Sequence, residues 1–337
     1  MNSKKSSRKK VIRMGLREWK EKGYFFDLDW TRTFGRSIPS LIFLSIRHPL
    51  LVMNANRGTP DGPQNLRPKK LPYEIPKFTK DMKHCNSNER YLRPTYLCDP
   101  LDPAIIAMAN KLGAYKKSDW DYAESVFKFV NGSIRIDFSS PKTAGECLRG
   151  GHGTCIDKLN LFIALCRAAG IKARYRLYSP QGVEALYNLY MSADPLVQKW
   201  VDNLNFFVLH GSGESLIDGK WAISDVSADF YHGPPQKIPI PHFGEDPANL
   251  WIKPAKGVWQ PEGLPLGFRL LGNLPFLMFG GTGRAINKNI RANYEEGLEI
   301  LKTISLEEYD KEIRKTYKPK WHDSARKASR VLDSLEK

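Results

Sequence analysis

Between Gly150-Gly151-His152-Gly153 and Gly170 lies a stretch, CIDKLNLFIALCRAA, that is apolar at Ile156, Leu159, Leu161, Phe162, Ile163, Ala164, Leu165, Cys166, Ala168 and Ala169. Projected at 3.6 residues per turn, these positions cover most of the helix circumference, so the helix has to be covered on nearly every side. Gly170 suits the residue just past its C-terminus, and Cys155 stands at or near its first turn. A central helix needs other elements around it. DPAIIAMANKLG reads as one helix, with Asp102 as N-cap and Pro103 at the first helical position. SDWDYAESVFKFVNGS reads as a second, capped by Ser118 or Asp119. IRIDF (134–138) reads as a short extended piece, and IKARYRLY (171–178), NFFVLH (205–210) and KWAISDV (220–226) read as strands. Asp218-Gly219 signals a tight hairpin before the last of these. Two helices, a buried helix and then antiparallel strands argue for an α+β fold.

The chain has 337 residues, 41% of them hydrophobic and a net charge of +16, enough apolar content for a real core. Much of the charge sits at the ends. Residues 1–22 carry nine Lys/Arg against two Glu, and residues 311–337 carry nine Lys/Arg against four acids. Basic ends of this kind suit a solvated surface, or contact with nucleic acid or an anionic membrane. No aromatic-interleaved RNA-binding motif accompanies them. Three regions are expected: a basic, aromatic and Pro-rich N-terminal extension (1–90), a catalytic core (91–235), and a Pro-rich segment with C-terminal charged helices (236–337). Within the last region, 232–265 reads as irregular, GGTGR (280–284) as a turn, and 293–314 and 321–336 as amphipathic helices. IPSLIFLSIRHPLLVMNA (38–55) is split by Arg47 and His48 and punctuated by Pro39 and Pro49, too broken to span a bilayer. It is expected to be buried, with docking on a membrane surface as the second reading. Five cysteines and no secretory leader argue against a disulfide framework and for a reducing, cytoplasmic setting.

Cys155 is the residue with chemistry to explain. A nucleophilic cysteine acts as the thiolate, which a helix N-terminus stabilises, and the backbone N–H there can face an oxyanion. Such a cysteine also needs a base and a group to orient that base. The Asp218-Gly219 hairpin can bring His210, at the end of one strand, beside Asp225 on the next. Cys166, mid-helix, reads as inert core, Asp157 as an ordinary first-turn acid, and His152 as a loop histidine. The Cys147-x4-His152-x2-Cys155 spacing, with His84, Cys85 and Cys98 upstream, also suits zinc. Paired CxxC knuckles are lacking, and the last cysteine opens a helix, so no metal or cofactor is expected.

Three stretches together resemble the transglutaminase-like superfamily of papain-like thiol enzymes. TAGECLRGGHGTCIDKLNLFIALCRAAGIKARYRLY (143–178) is similar to the segment that carries the family's cysteine. HGSGESLIDGKWAISDVS (210–227) is similar to its His strand, hairpin and Asp strand. The helices within 102–138 are similar to those that precede the cysteine. The resemblance covers roughly residues 98–230. It implies a papain-like core in which Cys155 is the nucleophile, His210 the general base and then acid, and Asp225 the residue that orients His210. It further implies attack on an amide bond of a peptide or protein through a thioester. Resolution by water, as in a protease or amidase, is favoured over transfer to an amine co-substrate. Ser212 and Val226 depart from the aromatic residue and the proline usual at these places. Trp120, Asn131 and His152 are the candidates for a side-chain donor to the oxyanion. The competing reading is a non-catalytic basic scaffold that keeps this core for binding.

Overall fold

The computed structural model describes residues 39, 42–56, 68, 70–204, 209–227, 229–270, 272 and 280–323. Residues 42–47 are helical and lead into α1, Pro49–Asn56. The capping signals on the next helices hold. Asp102 caps α2 (Pro103–Leu112) by accepting from the Ala104 N–H, and Pro103 occupies the first turn. Ser118 caps α3 (Asp119–Ser133) by accepting from the Asp121 N–H. IRIDF supplies β1, Arg135–Ile136, which pairs in parallel with β2, His152–Gly153. Between them lies α4, Ala144–Gly150, opened by a capping box of Thr143 and Glu146.

The apolar stretch forms α5, Cys155–Ala168, whose residues Ile156 to Ala168 are all buried. It packs against α2, α3 and α4 on one side and the sheet on the other. The sheet has the order β5-β4-β3-β6 and is antiparallel throughout, from β3 (Ala173–Gly182), β4 (His210–Ile217), β5 (Lys220–Ser224) and β6 (Ile252–Trp259). Asp218 and Gly219 turn β4 into β5 with positive φ at both residues (49° and 75°), the backbone that the Asp-Gly pair favours. The α+β expectation therefore holds: a buried helix opening with Cys155 lies on an antiparallel sheet.

Several details differ from the sequence reading. His210 opens its strand instead of ending it, and residues 205–208 lie outside the described residues. The Pro-rich stretch 232–265 contains β6, which pairs with β3 through Pro180 and Pro254 opposite each other and with shifts of register. A proline has no N–H to give to a ladder, so an edge partner with a broken register tolerates it. GGTGR is the first turn of α7 (Gly280–Ile300), and 293–314 divides between α7 and α8 (Leu306–Thr316). Gly281 and Gly283 are buried there, so packing overrides their weak helix propensity. Of the helix read at 321–336, residues 321–323 are not helical and the rest lie outside the described residues. Among the described residues no helix is long and apolar enough to cross a membrane.

Candidate active site

Cys155 occupies the first position of α5 and is half-buried. The turn before it is held by side chains. Thr154 Oγ1 accepts from the Asp157 N–H at 3.3 Å, and Asp157 returns the bond from Thr154 N to its Oδ2 at 2.9 Å. The other Asp157 oxygen accepts from Lys142 N at 2.7 Å, so this first-turn acid also ties the 142–143 entry of α4 to the cysteine turn. Burial pushes the Asp157 carboxyl up to about 6, against the pull of Lys142. The loop itself lies flat against β1 through Arg135 N to Gly151 O and Asp137 N to Gly153 O, both 3.0 Å.

The imidazole reaches Cys155 because α5 lies unusually close to β4. A Cβ at Gly211 would come within 2.5 Å of Leu177 Cδ2 and 3.0 Å of Leu159 Cδ2. At Gly213 it would meet the Phe162 ring at 2.7 Å. Glycine at both positions is what allows the helix to sit against the strand. His210 Nε2 donates to Asp225 Oδ2 at 3.2 Å, and Cys155 lies close enough to the same imidazole to act on it electrostatically. Asp225 lies just beyond the end of β5. Its Oδ1 accepts from Ser227 N at 2.9 Å, and its backbone carbonyl accepts from Asn131 Nδ2 at 3.4 Å. Tyr178, which pairs with His210 across β3 and β4, lays its ring 5.4 Å from the imidazole. The structure thus joins His210 to Asp225 and sets Cys155 within electrostatic reach of the imidazole.

Electrostatics follow from this packing. Burial alone would depress the His210 pKa. The Asp225 carboxylate, with the hydrogen bonds to Asp225 and Cys155, reverses this and raises it to about 10. Burial likewise disfavours the Asp225 carboxylate, but His210 and the Ser227 bonds keep its pKa below the usual value. The raised His210 contributes stability that is complete below about 6.5, the unfolded value, and is lost as pH rises through about 10. The lowered Asp225 contributes stability that is present above its unfolded value of 3.8 and is lost as pH falls through its folded one. The pair is therefore ionised and stabilising at neutral pH. In Asp225→Asn, burial acts on His210 without its counter-charge. Histidine side-chain NMR should then show His210 titrating about 1–3 pH units lower than in the wild type. An unmoved midpoint would mean that Asp225 does not hold the imidazolium.

Three groups near this centre carry no sequence signal of their own. Lys158, one turn along α5, is fully buried and ion-paired with Asp229. Asp229 also accepts from Ile136 N at 3.0 Å, so α5, β1 and the chain after Asp225 share one buried carboxylate. Tyr190 comes from a π-helical turn, Tyr187–Met191, and its ring lies 5.8 Å from that of Phe138. Burial first, then Asp229, Cys155 and Asp225, push its phenol pKa up, which places the residue within electrostatic reach of the thiol. Of the three proposed oxyanion donors, Asn131 supports Asp225 as above. His152 hydrogen-bonds Asp137 through Nδ1, and Trp120 packs edge-on against Phe243 and is 46% exposed. Cys147, one of the residues with zinc-like spacing, lies in the hydrophobic core, as do Cys98 and Cys166. Among the described residues no group of three or more His, Cys, Asp or Glu side chains is arranged to hold a metal ion.

A search of the curated proteins returns no match. Among solved structures the chain is similar to one described as a candidate cysteine protease from Cytophaga hutchinsonii, at 21% identity and a TM-score of 0.30. The likeness covers 41% of this chain and 40% of the other, so the chain spans less than half of that protein's length. The sequence model of the transglutaminase-like superfamily matches residues 106–224, a stretch that holds Cys155 and His210 and stops one residue before Asp225. Helix α5 with β3, β4 and β5 lies in the same stretch, so the match to a transglutaminase-like domain falls on the core of the fold.

Proposed function

We propose that the chain is a cysteine-dependent acyl-transfer enzyme acting on amide bonds, with water as the acceptor. The observation that carries this reading is the His210–Asp225 hydrogen bond within electrostatic reach of Cys155 at the first turn of a buried helix. The Cys155 sulfur attacks the amide carbonyl carbon and forms a C–S bond. The oxyanion meets the Cys155 backbone N–H, which at the first helical position has no intrahelical acceptor. His210 then gives its proton to the departing nitrogen as the C–N bond breaks, leaving a thioester. Water attacks that thioester as His210 takes its proton, the C–S bond breaks, and the carboxylic acid departs, leaving the Cys155 thiolate beside the His210 imidazolium. Asp225 acts through His210, by holding the imidazolium and its orientation.

The test is product analysis by mass spectrometry on a peptide library, with and without an added primary amine, after acid quenching. The expected result is a peptide-sized mass added to the chain at Cys155 and cleaved or deamidated products in solution. Amine adducts in place of hydrolysed products would overturn water as the acceptor while keeping the thioester. No acyl adduct and no product across the library would favour the scaffold reading.

A further inference from the structure

The segment 42–56 departs most from its sequence expectation, and it does so in one direction. Its helical hydrogen bonds continue across His48, with His48 N bonded to Leu44 O at 2.9 Å and Val52 N to His48 O at 3.3 Å. The segment can therefore be projected as one helix. Leu44 is buried, and Leu51 and Val52 pack on Leu196 from α6, Pro195–Leu204. The opposite face carries Ile42, Phe43, Ile46, Leu50 and Met53, exposed by 50%, 61%, 75%, 72% and 48%. At 3.6 residues per turn these five fall within about 100° of arc. They form one continuous apolar stripe, backed by a face that is already packed.

Along the sequence, the charge next to the stripe has one sign between Asp29 and Asp61. From Trp30 to Pro60 the sequence has Arg32, Arg36, Arg47 and Arg57 and not one Asp or Glu. Arg47 itself is exposed on the helix, and residues 1–22 add a net +7. A helix with one packed face, one apolar face and only basic flanking charge has the composition of a segment that lies in a lipid headgroup layer. Phosphate-bearing nucleic acid would use the arginines but has no use for five aliphatic and aromatic side chains on one arc.

We propose that residues 42–56 dock the protein on an anionic phospholipid surface, with Ile42, Phe43, Ile46, Leu50 and Met53 entering the headgroup–acyl boundary and the N-terminal basic residues on the lipid phosphates. The attachment is peripheral, and it is independent of the reaction assigned to Cys155.

The full-length chain is tested by co-sedimentation with phosphatidylglycerol/phosphatidylcholine vesicles and with pure phosphatidylcholine vesicles. Binding to the anionic vesicles is expected, weakened by salt and much lower on the neutral ones. Phe43→Ser/Ile46→Ser should reduce that binding by about tenfold or more, given the apolar area withdrawn. Exchange of Lys4, Lys5, Lys9 and Lys10 for glutamine should reduce it on anionic vesicles alone. Labelling of Cys155 by a thiol probe should be unchanged in both variants, which shows that they are folded. No vesicle binding by the wild type would overturn the proposal. So would an equal affinity of the serine variant, or a lipid-free dimer, seen by sedimentation velocity, that the serine variant abolishes. Binding to RNA without binding to vesicles would overturn it in favour of nucleic acid.

Discussion

Cys155→Ala should abolish the acyl adduct altogether, and His210→Ala should slow its formation by about 10²–10⁴-fold at neutral pH. The two losses have different origins. Alanine at 155 removes the atom that forms the C–S bond. Alanine at 210 leaves the thiol at the helix N-terminus but removes both the cation beside it and the proton donor for the leaving nitrogen. In this reading both roles fall to one imidazole, which Asp225 holds through Nε2. A thiol-reactive probe separates them. In Cys155→Ala, fast labelling should disappear, because Cys98, Cys147 and Cys166 are buried and the half-buried Cys85, its pKa raised by burial and Glu89, reacts slowly. In His210→Ala, labelling of Cys155 should persist at a reduced rate. Adduct formation in His210→Ala at the wild-type rate would remove His210 from the mechanism.

Glu262→Ala should cost about 3–5 kcal/mol of stability, the range for breaking one side of a buried ion pair. The Glu262 carboxylate is fully buried and takes Arg93 through both oxygens, with bonds of 2.9 to 3.2 Å, as well as the Tyr91 N–H at 2.8 Å. Its backbone carbonyl receives Arg167 Nη2 at 2.7 Å. Arg167, itself fully buried at the end of α5, also donates to the carbonyls of Ala173 and Arg93. The carboxylate thus joins the chain before α2 to the chain after β6, while the backbone carbonyl of the same residue holds the end of the central helix. Urea unfolding followed by tryptophan fluorescence reads the loss. Glu262→Gln, which can still accept from Tyr91, should lose less. A loss below about 1 kcal/mol for Glu262→Ala would show that the pair is no more than a surface-like contact.

The parts legible in the sequence were those set by local chemistry. Asp102-Pro103, Ser118 and Asp218-Gly219 each carry their own turn or cap geometry, and the apolar run after Cys155 admits little but a buried helix. The His210–Asp225 pairing follows from the hairpin between them. Thr143-x-x-Glu146 is also a local signal, and it would have given α4. The misses depend on distant partners. β6 is a strand only because the edge of β3 accepts it, and its prolines argue against it locally. Gly280 to Gly283 are helical because neighbours cover them. Residues 42–56 look like core because hydropathy does not say which face is covered. Tyr190 and the Lys158–Asp229 pair are assembled from segments far apart, and no spacing announces them.

The position of β6 also sets a clock on the nascent chain. β3 ends at Gly182 and its partner ends at Trp259, 77 residues later. At ~5–20 residues per second of synthesis, that is a wait of roughly 4–15 s. During it β4 and β5 can close the hairpin on one side of β3 while the other edge stays open, a template for strand exchange with a neighbouring chain on the same messenger. Protease sensitivity of ribosome-stalled chains ending before and after β6 would time the closure. Cys155, His210 and Asp225 are all synthesised before β6, so the last piece of the sheet arrives after the proposed site is already encoded, and the thiol is made before its fold is sealed.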